Sequence, residues 1–250
     1  MYRTRFANQI AAEFWPPAQA RRRQRLILLC DGMPSVPRKQ PLAEFLAAKG
    51  YWVIYPRWRG AWESGGQLLA RSPERDIRTV LDELPRGLQD IAFGKRFRLE
   101  PEAVYIIGGS FGGTAAILAT LDERVCRAIA NCPVVDWSIL DGEQSKETSN
   151  PSYVDYIREA FGHGYRLTEK NWNKLRSGTF FNPMNRVVAI DGAKLLLFHA
   201  KDDPYVPWRG VREFAQITSS HLCLLERGGH LSTSDVVPRY WRKIETFLNA

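Results

Sequence analysis

Apolar residues fall into short unbroken runs, separated by stretches where they recur every three or four positions. The runs are residues 26–30 (Leu-Ile-Leu-Leu-Cys), 51–55 (Tyr-Trp-Val-Ile-Tyr), 103–107 (Ala-Val-Tyr-Ile-Ile), 125–130, 194–199 and 221–225. None alternates apolar with polar, so each predicts a strand covered on both faces. Residues 41–49, 76–84, 112–121, 210–217 and 236–248 have helical spacing, and Gly50 ends the first of them. Strand and helix therefore alternate. That pattern predicts an α/β fold, with a mostly parallel central sheet and helices on both faces.

One stretch interrupts the rhythm. Residues 134–193 contain no clear buried strand but are rich in Tyr, Trp and Phe. The stretch is too long for a plain loop and predicts a small helical cap insertion. Ligands of open α/β sheets bind beyond the carboxyl ends of the strands, which is where such a cap would sit. The remainder reads as one domain over residues 1–250, with residues 1–25 as an N-terminal segment before the first strong strand.

With 44% hydrophobic and 25% charged residues among 250, the chain has the balance of a soluble globular protein with one sizeable core. No apolar run is long enough to span a bilayer. Charges interrupt residues 1–25, so no signal peptide is predicted and a cytoplasmic location is expected. Cys30, Cys126, Cys132 and Cys223 form no CxxC pair and have no His at ligand spacing. They read as free buried thiols, with no metal site. The net charge is +8, but the basic residues are spread along the chain apart from Arg21, Arg22, Arg23 and Arg25. This predicts a solvated segment and no nucleic-acid partner. Neither a membrane partner nor an oligomeric state is indicated.

The chemistry is concentrated at Gly108-Gly109-Ser110-Phe111-Gly112-Gly113, between a predicted strand and a predicted helix. A GxSxG turn in that setting lifts a serine hydroxyl above the sheet edge. Its small residues let neighbouring backbone approach. The backbone N–H of Phe111 and the helix N-terminus then face the same point, where a developing oxyanion would be stabilised. Ser110 is the candidate nucleophile. It needs a base, and the base needs an orienting acid, which follow in the chain order Ser, Asp or Glu, His. His230, in Arg227-Gly228-Gly229-His230 after the last strand, is the candidate base. His199 and His221 read as structural, and His163 as a cap or surface residue. For the acid, Asp202 and Asp203 both follow the strand at 194–199.

These residues resemble the α/β-hydrolase fold, and within it the prolyl-oligopeptidase-like serine hydrolases. The elbow is similar to that family's GGSxGG. His199 through Pro207 resembles its HxxxDxxVP, which implies that Asp203 is the triad acid. Gly228-Gly229-His230 resembles its base loop, and Pro56-Arg57-Trp58-Arg59-Gly60 its PxxRG segment. Cys30-Asp31-Gly32-Met33-Pro34 resembles its HGxP loop, which implies that the Met33 N–H is a second oxyanion donor. Asp31 stands where that family has His. Its carboxylate either lies near the developing charge or turns into hydrogen bonds of its own. Larger peptidases of this branch carry an N-terminal β-propeller. Only about two dozen residues precede the first strong strand here, so selection of oligopeptides does not follow from the resemblance.

The expected activity is hydrolysis of a carboxylic ester or a small amide or peptide bond, through an acyl-enzyme and without cofactor or metal. Trp58, Trp62 and Tyr153 are expected to line an apolar substrate pocket. The alternatives are an aminopeptidase or amidase of prolyl-oligopeptidase type, and a non-catalytic binding or scaffold protein on the same fold.

Overall fold

The computed structural model describes residues 1–19, 24–138 and 153–250. Eight strands form one sheet in the order β1-β2-β4-β3-β7-β8-β9-β10. They are β1 (Tyr2–Phe6), β2 (Ile10–Trp15), β3 (Arg25–Cys30), β4 (Trp52–Pro56), β7 (Ala103–Gly109), β8 (Val125–Asn131), β9 (Leu195–Ala200) and β10 (His221–Leu225). The short β5 (Leu88–Gln89) and β6 (Arg96–Phe97) pair with each other. From β4 to β10 every pairing is parallel, as the unbroken apolar runs predicted, while β1 and β2 are antiparallel.

Alternate residues of each strand enter different cores. Leu26, Leu28 and Cys30 of β3 face one cluster, and Ile27 and Leu29 face the other. The first is covered by α2 (Glu74–Glu83), α3 (Phe111–Ala119) and α6 (Trp208–Thr218), through residues such as Ile77, Ala115 and Phe214. The second is covered by α1 (Gln40–Ala48), α7 (Thr233–Arg239) and α8 (Trp241–Asn249), through Leu46, Val237 and Ile244. The insertion between β8 and β9 holds α4 (Tyr153–Phe161), α5 (Glu169–Trp172) and several 3₁₀ turns. Its residues 139–152, and Arg21 to Arg23 of the basic cluster, lie outside the described residues.

Three expectations need correction. Residues 1–25 contain the β1–β2 hairpin, which carries the sheet past β4. In β2 Ile10, Ala12, Phe14 and Trp15 are buried, alternating with half-buried Ala11 and Glu13 over its first five residues, so no continuous apolar run reveals it. The helix expected over 236–248 is two helices that meet at Tyr240, which leaves helical geometry at φ −106° and ψ 21°; Pro238, inside the first, also lacks the N–H that would bond Ser234. Of the thiols expected to be buried, Cys126 is exposed and Cys223 half-buried. Cys126 is the unpaired residue where the β7–β8 register shifts, and Cys223 lies on the edge strand β10.

The register aligns the carboxyl ends of the central strands. Cys30 lies opposite Gly108, Gly109 opposite Asn131, and Asn131 opposite Phe198, which pairs with Cys223. The loops that follow β3, β7, β8, β9 and β10 therefore emerge along one edge. Those loops carry Met33, Ser110, Cys132, Asp203 and His230.

Candidate active site

At the end of β7 the chain turns abruptly into α3, and Ser110 is the turning residue, with φ 54° and ψ −119°. A positive φ at a residue with a side chain costs about 1–3 kcal/mol and persists only where its surroundings enforce it. Two glycines do so. A Cβ on Gly108 would lie 2.1 Å from the Gly112 oxygen, and one on Gly112 would lie 2.3 Å from the Cys30 oxygen. The Ser110 N–H donates to the Asn131 carbonyl at 2.8 Å, and the Ser110 carbonyl accepts the Thr114 N–H at 3.1 Å. Phe111 opens α3, whose first-turn N–H groups have no partners within the helix. Its ring is fully buried against Trp58, Trp137 and Phe181.

The β3 loop lies directly against this turn. A Cβ on Gly32 would sit 3.4 Å from the Gly109 oxygen and 3.5 Å from the Ser110 Cβ. Met33 follows, with its side chain in the core. The Asp31 carboxylate accepts the Tyr55 hydroxyl and lies 3.7 Å from the Lys39 ammonium. Burial holds this carboxyl above its ordinary range, against the opposing pull of Lys39, Tyr55 and Arg57. Of the two placements open to Asp31, the structure shows hydrogen bonds of its own. Its backbone carbonyl accepts the Trp58 indole N–H at 3.1 Å.

The two aspartates after β9 separate by geometry. The Asp203 side chain is fully enclosed, with Oδ2 2.8 Å from His230 Nδ1. Its Oδ1 accepts the N–H groups of Tyr205 at 2.8 Å and Val206 at 3.0 Å. Burial works to raise this carboxyl, but His230 and the two amides outweigh it and hold it below the usual carboxylate range. Asp202 instead grips the base loop, with Oδ1 accepting the N–H groups of Gly228 and Gly229, both at 2.8 Å. His199 is buried, its Nε2 2.9 Å from the Val206 carbonyl and 3.5 Å from Asp203 Oδ2. It supports the acid loop, in keeping with a structural part.

Two residues on β8 and just after it were not singled out in advance. Asn131 fastens elbow to base loop: its carbonyl takes the Ser110 N–H, and its side-chain amide donates to the Leu231 carbonyl. Cys132, at φ 44°, has its Sγ within 4.8 Å of the Asp203 carboxylate; burial and that carboxylate push its thiol up. Only the register, which brings β8 between β7 and β9, reveals either role. Among the described residues, the cluster that could hold a metal is Cys132, Asp203 and His230, whose ligand atoms lie within 4.8 Å of one another. A cation there would compete with the Asp203–His230 hydrogen bond.

The three aromatics expected in the pocket are placed differently from one another. Trp58 is buried, at 3% exposure. Trp62 and Tyr153 are only partly buried, Trp62 packing on Tyr165 and Tyr153 on Trp172.

A family model described as the prolyl oligopeptidase family matches residues 39–221, which include Ser110 and Asp203. The chain belongs to the prolyl oligopeptidase family. It is a serine hydrolase with the α/β-hydrolase fold. No curated protein sequence matches it significantly. Among solved structures, this family member is similar to an esterase of Pyrococcus furiosus, with TM-score 0.70 and 18% identity over 99% of this chain and 89% of that one. It is similar to the acylaminoacyl peptidase of Pyrococcus horikoshii, with TM-score 0.68 and 15% identity over 98% of this chain. It spans only 40% of that peptidase. It is also similar to Est1E of Butyrivibrio proteoclasticus, solved with ferulic acid, with TM-score 0.68 and 13% identity over 100% of this chain and 99% of that one. Among the described residues no helix is long and apolar enough to cross a membrane.

Proposed function

We propose that this family member hydrolyses a carboxylic ester or a small amide or peptide bond through an acyl-enzyme on Ser110. The observation that carries the reading is Asp203 Oδ2 at 2.8 Å from His230 Nδ1, on a base loop that Asn131 ties to the backbone of Ser110. His230, its Nδ1–H held by Asp203, keeps Nε2 free to take the Ser110 proton as the oxygen attacks a carbonyl. Asp203 then stabilises the imidazolium. The N–H groups of Phe111 and Met33 stabilise the oxyanion. Collapse of the tetrahedral intermediate sends the His230 proton to the leaving group, and water repeats the sequence to free the acid.

In this reading the described part of the insertion, residues 153–193, shapes the acyl and leaving-group pockets. Trp62 and Tyr153 retain exposed ring surface for that purpose, whereas Trp58 acts beneath them by packing on Phe111. Ester and short amide substrates both suit this arrangement. The likeness to an acylaminoacyl peptidase favours testing aminoacyl amides beside acyl esters.

The test is labelling with a fluorophosphonate probe, with Ser110→Ala and His230→Ala as controls. The expected result is labelling of the unaltered protein, none in Ser110→Ala, and a rate lower by orders of magnitude in His230→Ala. Well-folded protein that does not label would overturn the triad and favour a binding role for the fold.

A further inference from the structure

Among the described residues, Tyr165 of the cap is hydrogen-bonded to Ser35 in the loop that carries Met33. The Ser35 N–H donates to the Tyr165 hydroxyl at 2.8 Å, and that hydroxyl donates to the Ser35 carbonyl at 2.9 Å. The Trp62 indole N–H donates to the same carbonyl at 3.1 Å. The Ser35 hydroxyl in turn donates to the Gly32 carbonyl at 3.0 Å.

That last bond controls a direction. The Gly32 carbonyl and the Met33 N–H belong to one planar trans peptide unit, so they point opposite ways. Holding the carbonyl therefore aims the N–H. Pro34 has no N–H with which to hold the loop's next peptide. Aim thus depends on Ser35, and Ser35 depends on Tyr165 and Trp62.

Tyr165 is itself rigidly held, at 5% exposure. It pairs with Ala61 in an isolated antiparallel bridge. On either side, Trp62 N–H donates to the Gly164 carbonyl at 2.7 Å and Arg166 N–H to the Gly60 carbonyl at 2.7 Å. The rings of Trp62 and Tyr165 pack at 6.0 Å, and a Cβ on Gly164 would lie 3.2 Å from the Trp62 ring.

We propose that Tyr165 and Ser35 are positioning residues for the oxyanion hole, so that the seating of the cap aims the Met33 N–H at the reacting oxygen. The inference rests on the reading that this N–H stabilises the oxyanion. It adds that a cap residue sets the donor's direction without touching substrate.

The test compares Tyr165→Phe and Ser35→Ala with the unaltered protein. Turnover of an acyl ester is measured beside inhibition by a trifluoromethyl ketone and by its carbinol. Ser110 adds to the ketone, passes its proton to His230 and leaves a charged oxygen in the hole. The carbinol fills the same space without forming that charge. Removing an oxyanion donor outright costs about 10²–10³ in kcat, so loosening one predicts a loss of roughly tenfold or more. KM and carbinol affinity are expected to stay unchanged, while ketone affinity falls by the same factor as kcat. If ketone and carbinol weaken together, the hydroxyl serves only to seat the cap and the inference is overturned. Unchanged kcat in both variants also overturns it, while leaving the hydrolase reading intact. Failure of the unaltered protein to prefer ketone over carbinol overturns both. Should Tyr165→Phe not fold, Ser35→Ala decides, because its hydroxyl holds Gly32 directly.

Discussion

Ser110 shows how far one residue can be set against the stability of its own turn. Its φ of 54° suits glycine, and in the proposed mechanism the side chain is carried there for its hydroxyl. Ser110→Gly is therefore expected to abolish labelling and to be more stable than Ser110→Ala by about 1 kcal/mol, since glycine relieves the strain that alanine retains. Urea midpoints of the two variants measure this, and equal midpoints would show the turn to be unstrained. His199 makes a second argument at this scale. Burial holds its imidazole below the ordinary range, and the charge of His230 adds to that, while the Val206 carbonyl and Asp203 pull the other way. As pH falls below about 6.5 the unfolded chain binds this proton before the folded one does. The stability from a neutral His199 is full above that pH and is lost as pH falls toward the lowered folded value. The melting temperature of the unaltered protein should fall from pH 7.5 to pH 5.5, and His199→Gln should flatten that dependence. An identical slope in the variant would assign the pH effect to other groups.

At the scale of elements, what the sequence disclosed depended on whether backbone shape dictated residue type. The elbow was legible because only glycines fit at Gly108 and Gly112. The pairing of His230 with an acid was legible from its place after the last strand. Asp202 and Asp203 were not separable by pattern, since both follow β9 and either reaches a turn. Family resemblance chose Asp203, and the hydrogen bonds show why the other is present: Asp202 holds the two glycine N–H groups that precede His230. Asp202→Ala releases that loop while leaving the Asp203–His230 pair in place. The expected outcome is a fall in kcat of about tenfold with little change in KM, because the proposed base, His230, is no longer held at a productive distance. Steady-state kinetics on an acyl ester check it, and an unchanged kcat would mean that Asn131 and Asp203 alone position the base. Asn131, Cys132 and Tyr165 were illegible for a different reason. Their partners are far away in the chain, and only the parallel register or the cap bridge brings them together.

At the scale of the whole molecule, the unbroken apolar runs revealed six strands, and the two that lack such runs complete the sheet on one side. The β1–β2 hairpin covers the edge that β4 would otherwise expose, a liability in a sheet this large. It also completes an interior ion pair. Glu13 of β2 stands opposite Tyr55 of β4, and its carboxylate lies 2.9 Å from an Arg57 nitrogen. Arg57 is 6% exposed, its guanidinium over the Tyr55 ring at 4.0 Å and 3.8 Å from the largely exposed Glu63. Arg57 leads directly into Trp58, which packs on Phe111 and holds the Asp31 carbonyl, so the hairpin supports the site through one short segment. Glu13→Ala leaves a buried guanidinium with the exposed Glu63 as its ionic partner and a hydrogen bond to the Tyr55 carbonyl at 3.1 Å, and losing one side of a buried pair costs about 3 kcal/mol. Arg57→Met in the same chain removes the orphaned charge. The double variant should therefore recover a large part of the stability that the single one loses, although it lacks the native ion pairs of Arg57 with Glu13 and Glu63 and of Arg3 with Glu13. Denaturant midpoints of the two variants test this. A double variant no more stable than Glu13→Ala would mean that the hairpin is held by its apolar face, Ile10 and Phe14, with the ion pair adding nothing.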